Sequence, residues 1–256
     1  MFAFHRNVAC AALVLAALVW SARARAYRPF NTEDAAVSGK GVFQLEFSED
    51  FYLWADGGAD QIALLVAPIF GPTDSIELSM ETPFVVHHPA QGKAACGFGD
   101  VSLVIKKVIV WSDYRKGDAL LTLKGIIKLN TGHAAEGLGR GDTEIVPVAV
   151  VSHAFGDVSL HAQVGYAGVV QKTVAVLESY VLFGGAIDYG PTRAFHLVAE
   201  VTGSQNPDHG RTAQAIVLAG VTWAVTQDVI LDATVKRGIT STVPEWGWGV
   251  GAAFQF

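Results

Sequence analysis

From Gly41 to its last residue the chain alternates apolar and polar side chains with a period of two, and no part of that stretch shows a helical period. A period of two puts successive side chains on opposite faces of an extended strand. The last segment shows it best. Trp246, Trp248, Val250, Ala252, Phe254 and Phe256 share one face, and Gly247, Gly249, Gly251, Ala253 and Gln255 share the other. Along 118–130, Leu121, Leu123, Ile127 and Leu129 oppose Thr122, Lys124, Ile126 and Lys128. Along 75–88, Ile76, Leu78, Met80 and Phe84 oppose Glu77, Ser79 and Glu81. Along 157–170, Val158, Leu160, Val164 and Tyr166 oppose Ser159, His161, Gln163 and Gly165. Segments 142–153 and 211–224 are blurred, with apolar residues on both faces. The pattern predicts twelve strands, over 41–54, 61–69, 75–88, 99–111, 118–130, 142–153, 157–170, 178–188, 192–203, 211–224, 227–237 and 246–256.

Two architectures take many alternating strands. A soluble sandwich or barrel turns its apolar face inward and coats its outside with charge, whereas a transmembrane barrel turns an apolar band outward around a polar lumen. Only 16% of the residues are charged, while 51% are hydrophobic and mean hydropathy is +0.34. A typical soluble domain carries roughly 25% charged residues. The charge here is too sparse to coat a soluble twelve-stranded surface. No uninterrupted apolar run after the N-terminal region approaches the ~20 residues of a spanning helix. The predicted connections alternate short and long, and both ends of the strand series fall on the short-turn side. An even strand number with that alternation is the pattern of bacterial outer-membrane barrels, and closure leaves no unpaired edge in hydrocarbon. The expected fold is therefore an all-β, closed, antiparallel transmembrane barrel over 41–256.

The first 26 residues read as a secretory signal peptide. His5 and Arg6 precede an apolar run from Val8 to Trp20, and Ala24-Arg25-Ala26 supplies the small-x-small pattern that predicts cleavage before Tyr27. Arg6, Arg23 and Arg25 leave with it, so the 18 basic residues fall to 15 against 24 acidic ones. An acidic chain cannot rely on phosphate neutralisation, which argues against nucleic acid as a partner. Cys10 also leaves, and Cys96 alone makes no internal disulfide framework. The expected location is the cell outer membrane, with residues 27–40 forming an irregular segment at the periplasmic end or inside the lumen. Loops around 89–98 and 131–141 are expected to be extracellular.

Catalytic and metal chemistry find little support. Gly137-x-Gly139-x-Gly141 resembles a phosphate-cradling loop, but a strand follows it where such loops need a helix N-terminus. His87 and His88 point to opposite faces of one strand, His133 and His209 lie in separate loops, and no cysteine or carboxylate stands at metal-ligand spacing. Ser152 and His153 are adjacent, so their side chains diverge, and there is no Gly-x-Ser-x-Gly. The expectation is a non-enzyme without cofactor. A structural or adhesive barrel is the alternative, and a barrel hydrolase a lesser one.

By parity Glu46, Glu77, Glu81, Lys106, Lys124, Lys128, Glu200, Asp232 and Lys236 face the lumen, beside His161 and His196. A barrel of twelve strands falls between the side-chain-filled eight and the water-filled sixteen, so any pore is narrow. Acids Glu77 and Glu81 on the third strand and lysines Lys124 and Lys128 on the fifth, with Lys106 between them, are expected to pair and constrict it.

Three stretches resemble the outer-membrane family associated with the MetA pathway of phenol degradation. The first is Arg28-Pro29-Phe30-Asn31-Thr32-Glu33-Asp34-Ala35, followed by Gly41-Val42-Phe43-Gln44-Leu45-Glu46. The second is Gly97-Phe98-Gly99-Asp100, with Lys106 downstream. The third is Lys128-Leu129-Asn130-Thr131-Gly132 with Gly137-Leu138-Gly139-Arg140-Gly141-Asp142, where Asn130 replaces the family's proline. The resemblance implies an outer-membrane barrel passing small, often aromatic or apolar, compounds. Its expected partners are outer-membrane lipid, the barrel-assembly machinery and such solutes.

A C-terminal aromatic on an amphipathic last strand resembles the signal read by barrel-assembly machinery, here Phe256 with Phe254 in phase. Deleting Phe256 should lower the amount of membrane-inserted barrel while leaving export intact, measured by fractionation and immunoblotting. Normal insertion of the truncated chain would remove Phe256 from that role.

Overall fold

Among the described residues the alternating segments form strands. The computed structural model describes residues 30–55, 60–110, 119–172, 177–208 and 210–256. The signal peptide expected over 1–26 lies outside the described residues, as do 27–29 and His209. The strands are β1 (Phe43–Leu53), β2 (Asp60–Thr73), β3 (Ile76–His88), β4 (Ala95–Phe98), β5 (Ser102–Val110), β6 (Ala119–Lys128) and β7 (Asp142–Phe155). There follow β8 (Val158–Lys172), β9 (Tyr180–Tyr189), β10 (Phe195–Ser204), β11 (Gln214–Ala224), β12 (Val229–Gly238) and β13 (Trp246–Gln255).

Nearly every strand pairs antiparallel with its neighbour in sequence, and β1 pairs with both β2 and β13, through Leu45↔Pro68 and Leu45↔Phe254. That second pairing closes the sheet. Strands β4 and β5 both pair with β3, through Phe84↔Phe98 and Glu81↔Ser102, and form one stave interrupted at 99–101. Thirteen strands thus make a closed barrel of twelve staves. At the seam the Phe256 amide donates to the Phe43 carbonyl at 2.8 Å, and the two rings lie 6.0 Å apart. Phe254 meets Phe47 edge-on at 6.1 Å on the same outer face.

Burial runs opposite to that of a soluble barrel. Along β7 the inner residues Asp142, Glu144, Val146, Val148, Val150, Ser152 and Ala154 are buried, while Ile145, Val151 and Phe155 are exposed. Phe47, Phe70, Ile105, Leu123, Phe183, Trp223 and Trp248 stand out around the rest of the wall, each about half exposed. An apolar belt of this extent is far larger than the patches a soluble monomer shows, and it matches the lipid-facing band of a transmembrane barrel. No helix among the described residues is long and apolar enough to cross a membrane; the crossing elements are strands.

One stave departs from the sequence reading. Strand four was expected over 99–111 with a loop over 89–98, but pairing begins at Ala95, runs to Phe98, breaks, and resumes at Ser102. Cys96 therefore sits on the outer face of β4, opposite Val86 and exposed, rather than in a loop. The break is at Gly99-Asp100-Val101: the Gly99 amide still donates to the Pro83 carbonyl of β3 at 2.9 Å, but the Val101 amide turns to a side chain, Thr131 Oγ1, at 2.9 Å.

Leu123, at mid-strand in β6, is half exposed on the outer wall. In a lipid-facing position, Leu123→Arg should destabilise the barrel by about 2–4 kcal/mol. Urea titration in vesicles, read by heat-modifiable gel mobility, measures it. A neutral effect would place that face in water.

Candidate functional site: a lumen crossed by the N-terminal segment

The polar inner face of a twelve-stave barrel would enclose water if nothing else filled it. Here residues 30–42 fill part of it, in an order set by their own side chains. The Phe30 ring lies 5.7 Å from that of His161 on β8. The Asn31 amide donates to Glu200 Oε2 at 2.8 Å, and the Thr32 amide and hydroxyl both donate to Glu200 Oε1. Glu33 reaches Lys106 Nζ at 2.9 Å and Lys124 Nζ at 2.5 Å. The Ala35 amide donates to Ser152 Oγ at 2.8 Å, and Thr122 Oγ1 donates to the Ala35 carbonyl. The Ser38 amide donates to Glu77 Oε2 at 2.7 Å. The chain then turns into β1, with Gly41 donating to the Gly71 carbonyl at 2.7 Å. It thus crosses the lumen from β10 to β2.

Between these polar anchors Ala35, Ala36 and Val37 are 0%, 2% and 5% exposed, packed on inward Val108, Leu120, Val146, Val148, Val150 and Ala167. This accounts for the blurred pattern of 142–153. Its inner face is apolar because it is the shelf on which the N-terminal segment lies. Gly184 makes room for the same segment, since a Cβ there would strike Thr32 Oγ1.

Glu33 is the electrostatic centre. Burial by itself pushes its carboxyl up, yet the ammonium groups of Lys106 and Lys124 hold it down at about 2. Lys106 is 1% exposed and has Asp34 and Glu77 as further carboxylates, each at 3.9 Å. The pairing expected between Glu77, Glu81 and the lysines of the fifth strand is largely replaced. Lys124 takes Glu33, and Lys128 takes Asp142 at 2.6 Å and Glu144 at 3.2 Å. The reason is register: Glu77 faces Lys106 and Lys106 faces Lys124, so the acids of β3 are two staves from β6.

The remaining residues read as lumen-facing lie on inner faces. Glu46 accepts from Gln44 Nε2 at 2.6 Å, and Lys236 bonds Asp50 at 2.6 Å and the Tyr52 hydroxyl at 3.2 Å. His196 Nδ1 lies 2.7 Å from Asp188 Oδ1. Glu81 is half-buried on β3, and Asp232 is buried on β12. Ser152 and His153 do diverge, but Ser152 meets His161 across the β7–β8 ladder, with Oγ 2.8 Å from Nδ1. That pair is buried under the N-terminal segment, and Ser152 Oγ accepts the Ala35 amide. Among the described residues no group of three or more His, Cys, Asp or Glu could hold a metal ion.

Sequence reasoning did not single out Glu33, Asp50, Asp142, Glu144 or Asp188 as partners. Parity alone would have placed the last four on inner faces. Glu33 has no strand parity, and only its position in the first family-like stretch marks it.

A carboxyl held below its ordinary value of 4.5 stabilises the folded arrangement fully above that pH and loses the contribution as pH falls through about 2. Anchoring of the segment should therefore persist from pH 7 to about 5 and weaken steeply toward pH 2. Glu33→Ala leaves two buried ammonium groups short of a counter-charge and should weaken anchoring by about 3 kcal/mol at pH 7. Protease access to residues 30–40 against pH reads both effects. A segment equally protected in the variant would show that Glu33 does not hold it.

No curated protein matches the chain in sequence. Among solved structures it is similar to the COG4313 outer membrane channel from Pseudomonas putida F1, with a TM-score of 0.67 at 12% identity over 89% of this chain and 99% of that one. It is also similar to the NanC porin (TM-score 0.57, 13% identity, 82% and 98% covered) and the KdgM porin (TM-score 0.57, 11% identity, 83% and 99% covered). At such identities the likeness concerns the fold. The family model described as "Putative MetA-pathway of phenol degradation" matches residues 26–256, and the chain belongs to that family.

Proposed function

We propose that this barrel is an outer-membrane channel that passes small neutral, apolar or aromatic compounds. The observation that carries this reading is the pairing of Glu33 with Lys106 and Lys124 inside the lumen. An ion entering here would shed hydration in a narrow passage whose charges already satisfy one another, which is costly. A neutral solute with an apolar body loses little on leaving water. The family's description, which names phenol degradation, and the porins and channels that share the fold agree with this reading. Short turns and both ends of the strand series at one end of the barrel orient that end toward the periplasm.

The second reading is a closed structural or adhesive barrel, favoured by the same network, since a segment bonded to β3, β5, β6, β7, β8 and β10 can serve simply to fill the lumen. A hydrolase is the least supported, because Ser152 and His161 are covered.

Planar-bilayer recording and proteoliposome uptake separate the first two. On the channel reading the full-length Glu33→Ala protein conducts at least several-fold more than the wild type, and wild-type vesicles admit a neutral phenol faster than an ammonium ion or carboxylate of equal size. No conductance from either protein, with only thermal stability lowered in the variant, would leave the structural reading standing and refute the channel.

A further inference from the structure

The broken stave and the glycine-rich stretch at 131–141 belong to one construction. Three of its parts are close contacts. Asp100, in the break, accepts the Gly132 amide on Oδ1 at 2.9 Å and the Arg140 amide on Oδ2 at 2.8 Å. One carboxylate therefore ties down both ends of the loop. Thr131 repairs the wall beside it, donating to the Gly99 carbonyl at 2.9 Å and accepting the Val101 amide at 2.9 Å.

The Leu138 side of the loop lies against the inner face of the wall, while His133, Ala135, Glu136 and Gly137 are exposed. Phe98 points outward, 65% exposed against Phe84, so Gly97 and Gly99 present their Cα atoms to the lumen. Leu138, 4% exposed, sits on them: a Cβ at Gly97 would come within 3.1 Å of Leu138 Cδ1, and one at Gly99 within 3.0 Å of its carbonyl oxygen. Gly137 adopts φ +75° and lies against the His87 ring, where a Cβ would come within 2.6 Å. A side chain at Gly139 would strike Asp100 Oδ1 at 2.6 Å. On the far side the Arg140 guanidinium bonds Asp142 and Glu144 of β7 and the Tyr180 hydroxyl of β9 at 3.0 Å, 5.1 Å over that ring. From His87 on β3 to Tyr180 on β9 the loop and its Arg140 side chain reach across five of the twelve steps between staves, at the end of the barrel away from Phe43 and Phe256.

We propose that residues 131–141 are the size-limiting constriction of the passage at that end, and that Asp100 is the positioning residue that holds them folded inward. The inference rests on the channel reading above. The strand number sets the width of a barrel lumen, and an inward segment held at both ends narrows it further at one level. Holding such a segment needs acceptors beyond the backbone carbonyls that the ladder uses. The break at 99–101 frees the stave at that point, and the carboxylate of Asp100 supplies two acceptors within one side chain. The glycines at 97, 99, 132 and 139 let backbone and Leu138 approach closely enough for the loop to lie flat against the wall.

The test uses full-length Glu33→Ala protein in planar bilayers and in vesicle-swelling assays with uncharged sugars and polyethylene glycols of graded size, with and without Asp100→Ala. On the proposal, Asp100→Ala raises conductance about two-fold or more and moves the size cut-off upward, while heat-modifiable mobility shows a folded barrel. Asp100→Asn, which keeps one good acceptor, falls between. Should Asp100→Ala fail to fold, Leu138→Ala, which removes the wedge and leaves the tie, should shift the cut-off in the same direction. If Glu33→Ala conducts but neither conductance nor cut-off responds to Asp100 or Leu138 variants, the constriction is refuted and the channel reading stands. If no variant conducts, both fail together.

Discussion

Lys106 and Lys124 stand directly opposite one another on β5 and β6, both pointing into the barrel and both nearly fully buried. Like charges facing across a ladder destabilise it, and two buried ammonium groups cost several kcal/mol each unless an anion lies between them. The neighbouring strands supply Glu77 beside Lys106, at 3.9 Å, but face Lys124 with Val148. Glu33 supplies that anion from a segment outside the sheet. The barrel's most demanding electrostatic position is thus resolved only by bringing the N-terminal segment into the lumen, and the other arrangements follow from its path.

That path explains features that look like irregularities of a transmembrane barrel. An inner face of valines on β7 would be wasteful against water, but it is suited to Ala35, Ala36 and Val37. Thr122, Ser152 and Glu200 are buried polar groups that find partners in the main chain of the segment. Backbone groups crossing a lumen must be hydrogen-bonded like any others, and here side chains of the wall do what a sheet neighbour does elsewhere. Gly184 is small for the same reason, because Thr32 occupies the space a side chain would need.

The opposite end uses the same logic with the roles exchanged. There the wall opens its own ladder at 99–101, and the carboxylate of Asp100 takes the amides of a loop. Arg140, Lys128, Asp142, Glu144 and Tyr180 then form a closed network in which each charge meets its opposite across two or three staves. The lumen is consequently filled from both directions by segments that are not strands, each held by a carboxylate.

Period two, low charge and an aromatic last strand were sufficient in the sequence to establish an antiparallel closed sheet with an apolar outside, because side-chain alternation is a local property and lipid permits no open edge. Placement of Lys106, Glu200 or Lys236 on the inner face follows from the same parity. The break at Gly99-Asp100-Val101 was visible only as a glycine-rich motif, since nothing local distinguishes a turn from a stave that pauses. Which charges meet was decided by tertiary structure alone. Glu33 reaches Lys106 and Lys124, and Ser152 reaches His161, because the closed wall and the route of residues 30–42 bring together groups far apart in the chain. Parity tells a side chain which way to point, but only closure and the register of neighbouring staves fix what it finds there.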